Sequence, residues 1–147
     1  MKILGLAVLA LLIVGAGALY LLAQKSKAGA PPGITDGALA SCPSSPNCVS
    51  SEAGGNEAHR VTAFPLAVWD QLPDAIQKDG GRIVDVKPDY IAAEYSSKLL
   101  GFVDDVEFRK AADAVHVRSA SRVGYGDGGV NRKRVEALRK ALTGAEQ

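Results

Sequence analysis

Residues 102–134, FVDDVEFRKAADAVHVRSASRVGYGDGGVNRKR, crowd acidic and arginine side chains into two strand-like stretches and the turn and helix that follow. Successive side chains of a strand point to opposite faces, so charge this dense inside strands makes one sheet face polar by design. With Ala111-Ala112 read as the tight turn between the last two strands, Phe108 faces Val115, Val106 faces Val117 and Asp104 faces Ser119 on one side. The other side carries Asp105, Glu107 and Arg109 on one strand and His116, Arg118 and Ala120 on the next. In that register Asp105 lies opposite Arg118 and Glu107 opposite His116. The expectation is a solvated face whose cross-strand ion pairs contribute about 0.2 to 1 kcal/mol each.

The start of the chain says where such a domain works. Ile3 to Ala23 carries no charge, and roughly 20 apolar residues cross about 30 Å of hydrocarbon as a helix. Lys2 precedes it and Lys25 and Lys27 follow, so flanking charge leaves the orientation close to even. A cleaved signal would have a shorter apolar core, and Ala16-Gly17-Ala18 sits in the middle of this one rather than after it. An uncleaved single-pass anchor is therefore favoured over a cleaved signal. Both place the remainder on the periplasmic or extracellular side. The expected organisation is an anchor over 1–23, a flexible Pro/Gly-bearing linker over 24–41 and one domain over 42–147.

The chain has 147 residues and a net charge of +1, which argues against a nucleic-acid binder with its clustered basic excess. Its two cysteines, Cys42 and Cys48, lie close together on a segment bent by Pro43 and Pro46. A small-loop disulfide is the simplest reading outside the cytoplasm. Free thiols, a metal site or lipid attachment are the rivals. A metal would need more ligands than His59 and His116 supply, a c-type haem needs C-x-x-C-H, and the lipobox-like Leu39-Ala40-Ser41-Cys42 lies well downstream of the apolar core.

The domain reads as mixed α and β. Arg60 to Phe64 suits a short edge strand. Leu66, Trp69, Leu72 and Ile76 recur at helical spacing over Pro65 to Lys78, with a kink at Pro73. Strands follow over 82–87, 90–98, 102–109 and 114–122, then a closing helix over 128–142 with Val130, Val135, Leu138 and Leu142 on its apolar face. The fold class is α+β: a four-to-five-stranded antiparallel sheet with two helices on one face, preceded by a transmembrane helix.

Two polar groupings are candidates for function. The first is the array of Asp105, Glu107, Arg109, His116 and Arg118, either a docking surface or a solvated face whose charges pair with one another. The second joins Asp104, Ser119, Ser121 and Arg122 to Asp127, Gly128, Gly129 and Asn131 at the start of the last helix. Gly128 and Gly129 there would let a helix N-terminus approach that carboxylate or a bound anion, or Asp127 simply serves as the helix N-cap. Asp104 and Asp105 point to opposite faces and cannot share a metal or substrate. Ser119 and Ser121 point away from His116, and no nucleophile elbow or phosphate loop occurs.

The segments PSSPNCVSS (43–51), GFVDDVEFR (101–109) and VRSASRVGYGDGGVNRKRV (117–135) resemble, in order and spacing, the Domain of Unknown Function 1499 family. The resemblance runs from about Cys42 to the end. It implies a small α+β domain, often behind an N-terminal hydrophobic segment in bacterial members, with no particular enzymatic activity. Family-typical residues match at Asn47, Cys48, Ser50, Ser51, Phe102, Asp104, Asp105, Glu107, Arg109, Arg118, Ser119, Ser121, Arg122, Gly124, Asp127, Gly129, Asn131 and Arg132. The resulting expectation is an anchored binding or scaffolding module of the cell envelope with no cofactor and no metal. Its partners would be the membrane and another envelope protein or a small anionic ligand. The alternative is a hydrolase or anion-handling enzyme built on the carboxylate, arginine and serine cluster.

Overall fold

The computed structural model describes residues 2–53 and 56–144. Met1 of the span 1–23, and residues 54–55 and 145–147 of the span 42–147, accordingly fall outside the described residues. An apolar helix, α1 (Lys2–Lys27), opens the chain and is almost wholly uncovered. It is long and apolar enough to cross a membrane, a property that anchors and signal sequences share.

Five strands make the antiparallel sheet. Strands β1 (Ile34–Thr35) and β2 (Ala38–Leu39) form a separate hairpin, and β3 (Cys48–Ser50) opens the main sheet. It continues with β4 (Arg82–Lys87), β5 (Tyr90–Ser96), β6 (Val103–Lys110) and β7 (Val115–Ser121), in the spatial order β3-β7-β6-β5-β4. The α+β architecture follows expectation, but three elements differ from it. Arg60 to Phe64 is no strand: only its two ends bridge, Arg60 to Ser50 and Phe64 to Val115. The fifth strand is instead β3, three residues that follow a Pro- and Ser-rich loop and are too short to show alternation. The helix expected over 65–78 is divided into a 3-10 run, Leu66–Gln71, and α2 (Leu72–Lys78). Pro73 falls in the first turn of α2, where its missing N–H leaves no helical bond unmade.

The third difference is register. The β6–β7 loop spans residues 111–114, so Lys110 pairs with Val115 and every partner moves by two: Phe108 faces Val117, Val106 faces Ser119 and Asp104 faces Ser121. A shift of two keeps each side chain on its assigned face. The helices pack on the face expected. Ile91, Val106, Phe108 and Val117 meet Phe64, Trp69, Leu72 and Ile76 there, together with Val135 and Leu138 of α3 (Val130–Thr143). Phe64 sets its ring edge-on to Phe108 at 5.8 Å.

The other face is covered too. Beyond α1 the chain does not leave the domain but runs across the sheet, with Leu39 of β2 buried against Tyr90 and Ala92 of β5. Asp36 and Gly37 take positive φ (52° and 77°) to close the β1–β2 hairpin, the conformation a two-residue turn of this kind requires. The last turns of α1 are fastened to β6. Ser26, fully buried, donates from Oγ to the Val103 carbonyl (3.1 Å) and accepts from the Val103 N–H (2.7 Å).

Ser26→Ala strips the Val103 N–H of its Ser26 partner and leaves the Val103 carbonyl only the longer bond from the Arg122 N–H (3.4 Å). It should cost about 1 to 3 kcal/mol, read as a lower denaturation midpoint of the detergent-solubilised chain and faster hydrogen exchange at the Val103 amide. An unchanged midpoint and exchange rate would mean that α1 is not fastened there.

Candidate functional site

The first polar grouping lies on the covered face. Alternation sets Tyr90, Ala92 and Glu94 on β5 beside Asp105, Glu107 and Arg109 on β6, and His116, Arg118 and Ala120 on β7 beside these. The solvated array expected from the sequence is instead largely buried: Glu107 is 0% and Asp105 3% exposed, because residues 26–42 exclude water from them. The pairs also differ from expectation through the two-residue register shift. Glu107 faces Arg118, not His116, and Asp105 faces Ala120, not Arg118.

Glu107 is fully coordinated. One oxygen accepts from the Tyr90 hydroxyl and from the Gly33 N–H, both at 2.8 Å, and the other accepts from Arg118 Nη1 at 3.1 Å. Burial pushes its carboxyl pKa upward against the opposing pull of Tyr90, Arg118 and the Gly33 amide. Burial and the neighbouring carboxylate likewise raise the Tyr90 hydroxyl. Arg118 Nε, also buried, has no hydrogen-bond partner among the described residues. Arg109 holds Glu52 with two bonds, 2.8 and 3.0 Å, while the Leu39 N–H donates to the same carboxylate at 3.1 Å and His116 stands 3.6 Å away. Burial alone would raise the Glu52 pKa, but Arg109, the Leu39 amide and His116 together hold it below the usual range.

Arg122 belongs to this face and not to the second grouping, in which the sequence reading included it. Residues 118, 120 and 122 share a side, so its guanidinium reaches Asp105 (2.9 and 2.6 Å), Glu94 (2.6 Å) and the Ser26 carbonyl in the last turn of α1 (3.1 Å). Its hydrogen bonds to Asp105 raise its pKa further. The composite cluster of Asp104, Ser119, Ser121 and Arg122 therefore does not converge, since the sheet separates the arginine from the other three.

Arg134 takes that place on the helix side. Its Nη2 donates to Asp104 at 2.9 Å, and its Nη1 to Asn131 Oδ1 (2.9 Å) and Ser119 Oγ (3.2 Å). Asn131, completely buried, also accepts from Ser119 Oγ at 2.6 Å and donates to Asp127, Ser121 and the Asn47 carbonyl. Asp127 stands two residues before the capping residue Gly129, whose φ is 79°. From there its carboxylate accepts the N–H groups of Gly129 and Asn131, both at 2.9 Å. These amides hold its pKa low in spite of burial. Arg132 lies apart, donating to the Ala58 and Arg60 carbonyls.

Sequence reasoning missed Glu52 and Arg134. Glu52 follows a strand too short to recognise. Arg134 stood in plain view at i+3 from Asn131, the spacing at which helix residues share a face.

Cys42 and Cys48 form a disulfide. It borders a small concavity of about 180 Å³ lined by Ser41, Ser50, Glu52, Asn56, His59 and Arg60. His59 Nδ1 lies 2.7 Å from the Cys48 carbonyl, to which it donates. Among the described residues no group of His, Cys, Asp and Glu is arranged to hold a metal. A family model described as protein of unknown function (DUF1499) matches residues 38–142. No curated protein and no solved structure matches the chain.

Removing one partner of a buried ion pair strands the other. Arg118→Met should therefore lower stability by about 3 to 5 kcal/mol in chemical denaturation. Glu107→Gln combined with Arg118→Met should recover much of the loss, because the amide oxygen still serves Tyr90 and Gly33 without a charge. A double variant no better than the single one would remove the stranded charge as the cause. Glu52 has a depressed pKa, so its contribution is present above the ordinary carboxylate range of about pH 4 to 5 and is lost as pH falls through the lowered value. Glu52→Gln should be clearly less stable than the parent at pH 7, with the gap narrowing in acid; a gap independent of pH would contradict the assignment.

Proposed function

The chain belongs to the DUF1499 family, whose description assigns no activity, and from that premise we propose that it is a membrane-anchored, extracytoplasmic binding module for a small anionic ligand. The observation that carries this reading is the disulfide-walled concavity of a domain attached directly to an apolar helix. A structural disulfide belongs to an oxidising compartment, and the apolar helix supplies the attachment. Arg60, Ser41 and Ser50 are among the residues that line the concavity, and the carboxylate of Glu52, which also lines it, is paired with Arg109. Its volume of about 180 Å³ suits a phosphate- or carboxylate-bearing group better than a whole cofactor. The acid and arginine array on the covered face supports the site from beneath: Arg109 orients Glu52, and Glu107 holds the segment that carries Leu39 to the rim.

Two measurements test this. Lys78→Cys places a thiol on the exposed end of α2, and a membrane-impermeant maleimide should label it in intact cells. Labelling only after lysis would overturn the extracytoplasmic placement. Calorimetric titration of the detergent-solubilised full chain with phosphate, sulfate and small dicarboxylates should detect binding that weakens about tenfold or more in Arg60→Ala. No heat from any of these anions at millimolar concentration would sink the anion-binding reading.

A further inference from the structure

We infer that the end of the domain beside α1 is a lipid-contacting rim, in which the 97–102 turn and the 123–130 loop enter the interface of the leaflet where α1 ends. This rests on α1 being a membrane span, and depth is the reason. The apolar run of α1 closes at Ala23, which places Leu22 and Leu19 about 1.5 and 6 Å further into the membrane at the helical rise per residue. Those two leucines form one wall of an apolar groove of about 370 Å³, and Phe102, Val123 and Val130 form the facing wall. Side chains that line a groove with Leu19 and Leu22 stand near the depth of those two leucines, so these parts of the domain lie at the hydrocarbon edge.

The residues exposed here fit that position. Leu99 is 91% and Tyr125 78% exposed, and Leu100 and Val130 are also open. These four are among seven large apolar side chains exposed outside α1 in the described residues, the others being Ile34, Val84 and Val86. A tyrosine suits the boundary between headgroups and acyl chains. Lys25, Lys27 and Lys98 are exposed at the same end, where anionic headgroups would meet them. Gly101, at φ 66°, brings the turn against α1: a Cβ there would lie 3.0 Å from the Lys27 side chain. Asp104, Ser121 and Asp127 also border the groove. Asp104 is paired with Arg134, and Asp127 is satisfied by the N–H groups of Gly129 and Asn131.

Single tryptophans introduced into the full chain, reconstituted in phosphatidylcholine and phosphatidylglycerol vesicles carrying acyl-brominated lipid, test the rim. The native Trp69 is buried in the core and supplies a constant background. Leu12→Trp, in the middle of α1, reports on the anchor; Leu99→Trp and Tyr125→Trp report on the rim. Val86→Trp, exposed on strand β4, is the control. The expected result is bromine quenching of Leu12→Trp, Leu99→Trp and Tyr125→Trp with none beyond background for Val86→Trp. Quenching at Leu12→Trp while both rim positions behave like Val86→Trp overturns the rim and leaves the anchor standing. No quenching at Leu12→Trp overturns the anchor and the rim with it. Blue-shifted emission at Leu99→Trp without quenching, accompanied by cross-linking between chains, would show that a second copy covers this surface and would also overturn the proposal.

Discussion

One guanidinium joins the parts of this protein that would otherwise be separate. Arg122 spends its N–H groups on Asp105 of β6, Glu94 of β5 and the Ser26 carbonyl at the end of α1. The planar fork of arginine suits this role, because it can bind a carboxylate with two bonds and still direct a donor elsewhere. The C-terminal end of α1 gains a cation where its exposed carbonyls carry partial negative charge. Together with Ser26 on Val103, this contact sets where the helix meets the sheet.

The same face illustrates a trade between stability and definition. Asp105, Glu107 and Arg118 lie out of water, and burial of charges is costly unless each finds partners. Most of those partners stand in the sheet itself, Tyr90 and Arg118 for Glu107 and Arg122 for Asp105; residues 26–42 fold back over them and add the Gly33 amide to Glu107 and Leu39 to the apolar patch of Tyr90 and Ala92. The segment and the charges therefore depend on one another. Uncovered, the carboxylates would be solvated and weakly paired; covered, they specify where that segment must lie. The opposite face follows the same logic at smaller scale: Asn131 satisfies hydroxyl, guanidinium and carbonyl groups that the packing of α3 would otherwise leave unpaired.

The disulfide contributes in another way. It closes a short loop, with Cys42 and Cys48 separated by 6 positions, so its effect on unfolded-chain entropy is small. Its value is local shape. It fixes the entry into β3, and with it the backbone carbonyl of Cys48 that holds His59, so the concavity beside it has a rigid wall.

Strand periodicity by itself determined that Asp105, Glu107, Arg109 and Arg118 share one face and that Asp104 and Ser119 share the other, because a register error of two residues leaves every face unchanged. Helical spacing determined the apolar stripe of α3, and the length and composition of α1 determined that it is an apolar helix. The Asp36-Gly37 pair between Ile34-Thr35 and Ala38-Leu39 was a legible hairpin signal inside a stretch read as linker, and alternation already set Arg122 beside Arg118 and Ala120. Only the tertiary structure decided that the polar face is covered, that Glu52 meets Arg109 and that Arg134 meets Asp104. Those contacts join residues far apart in the chain, and local periods of two or 3.6 residues carry no information about which distant surface will exclude water from them.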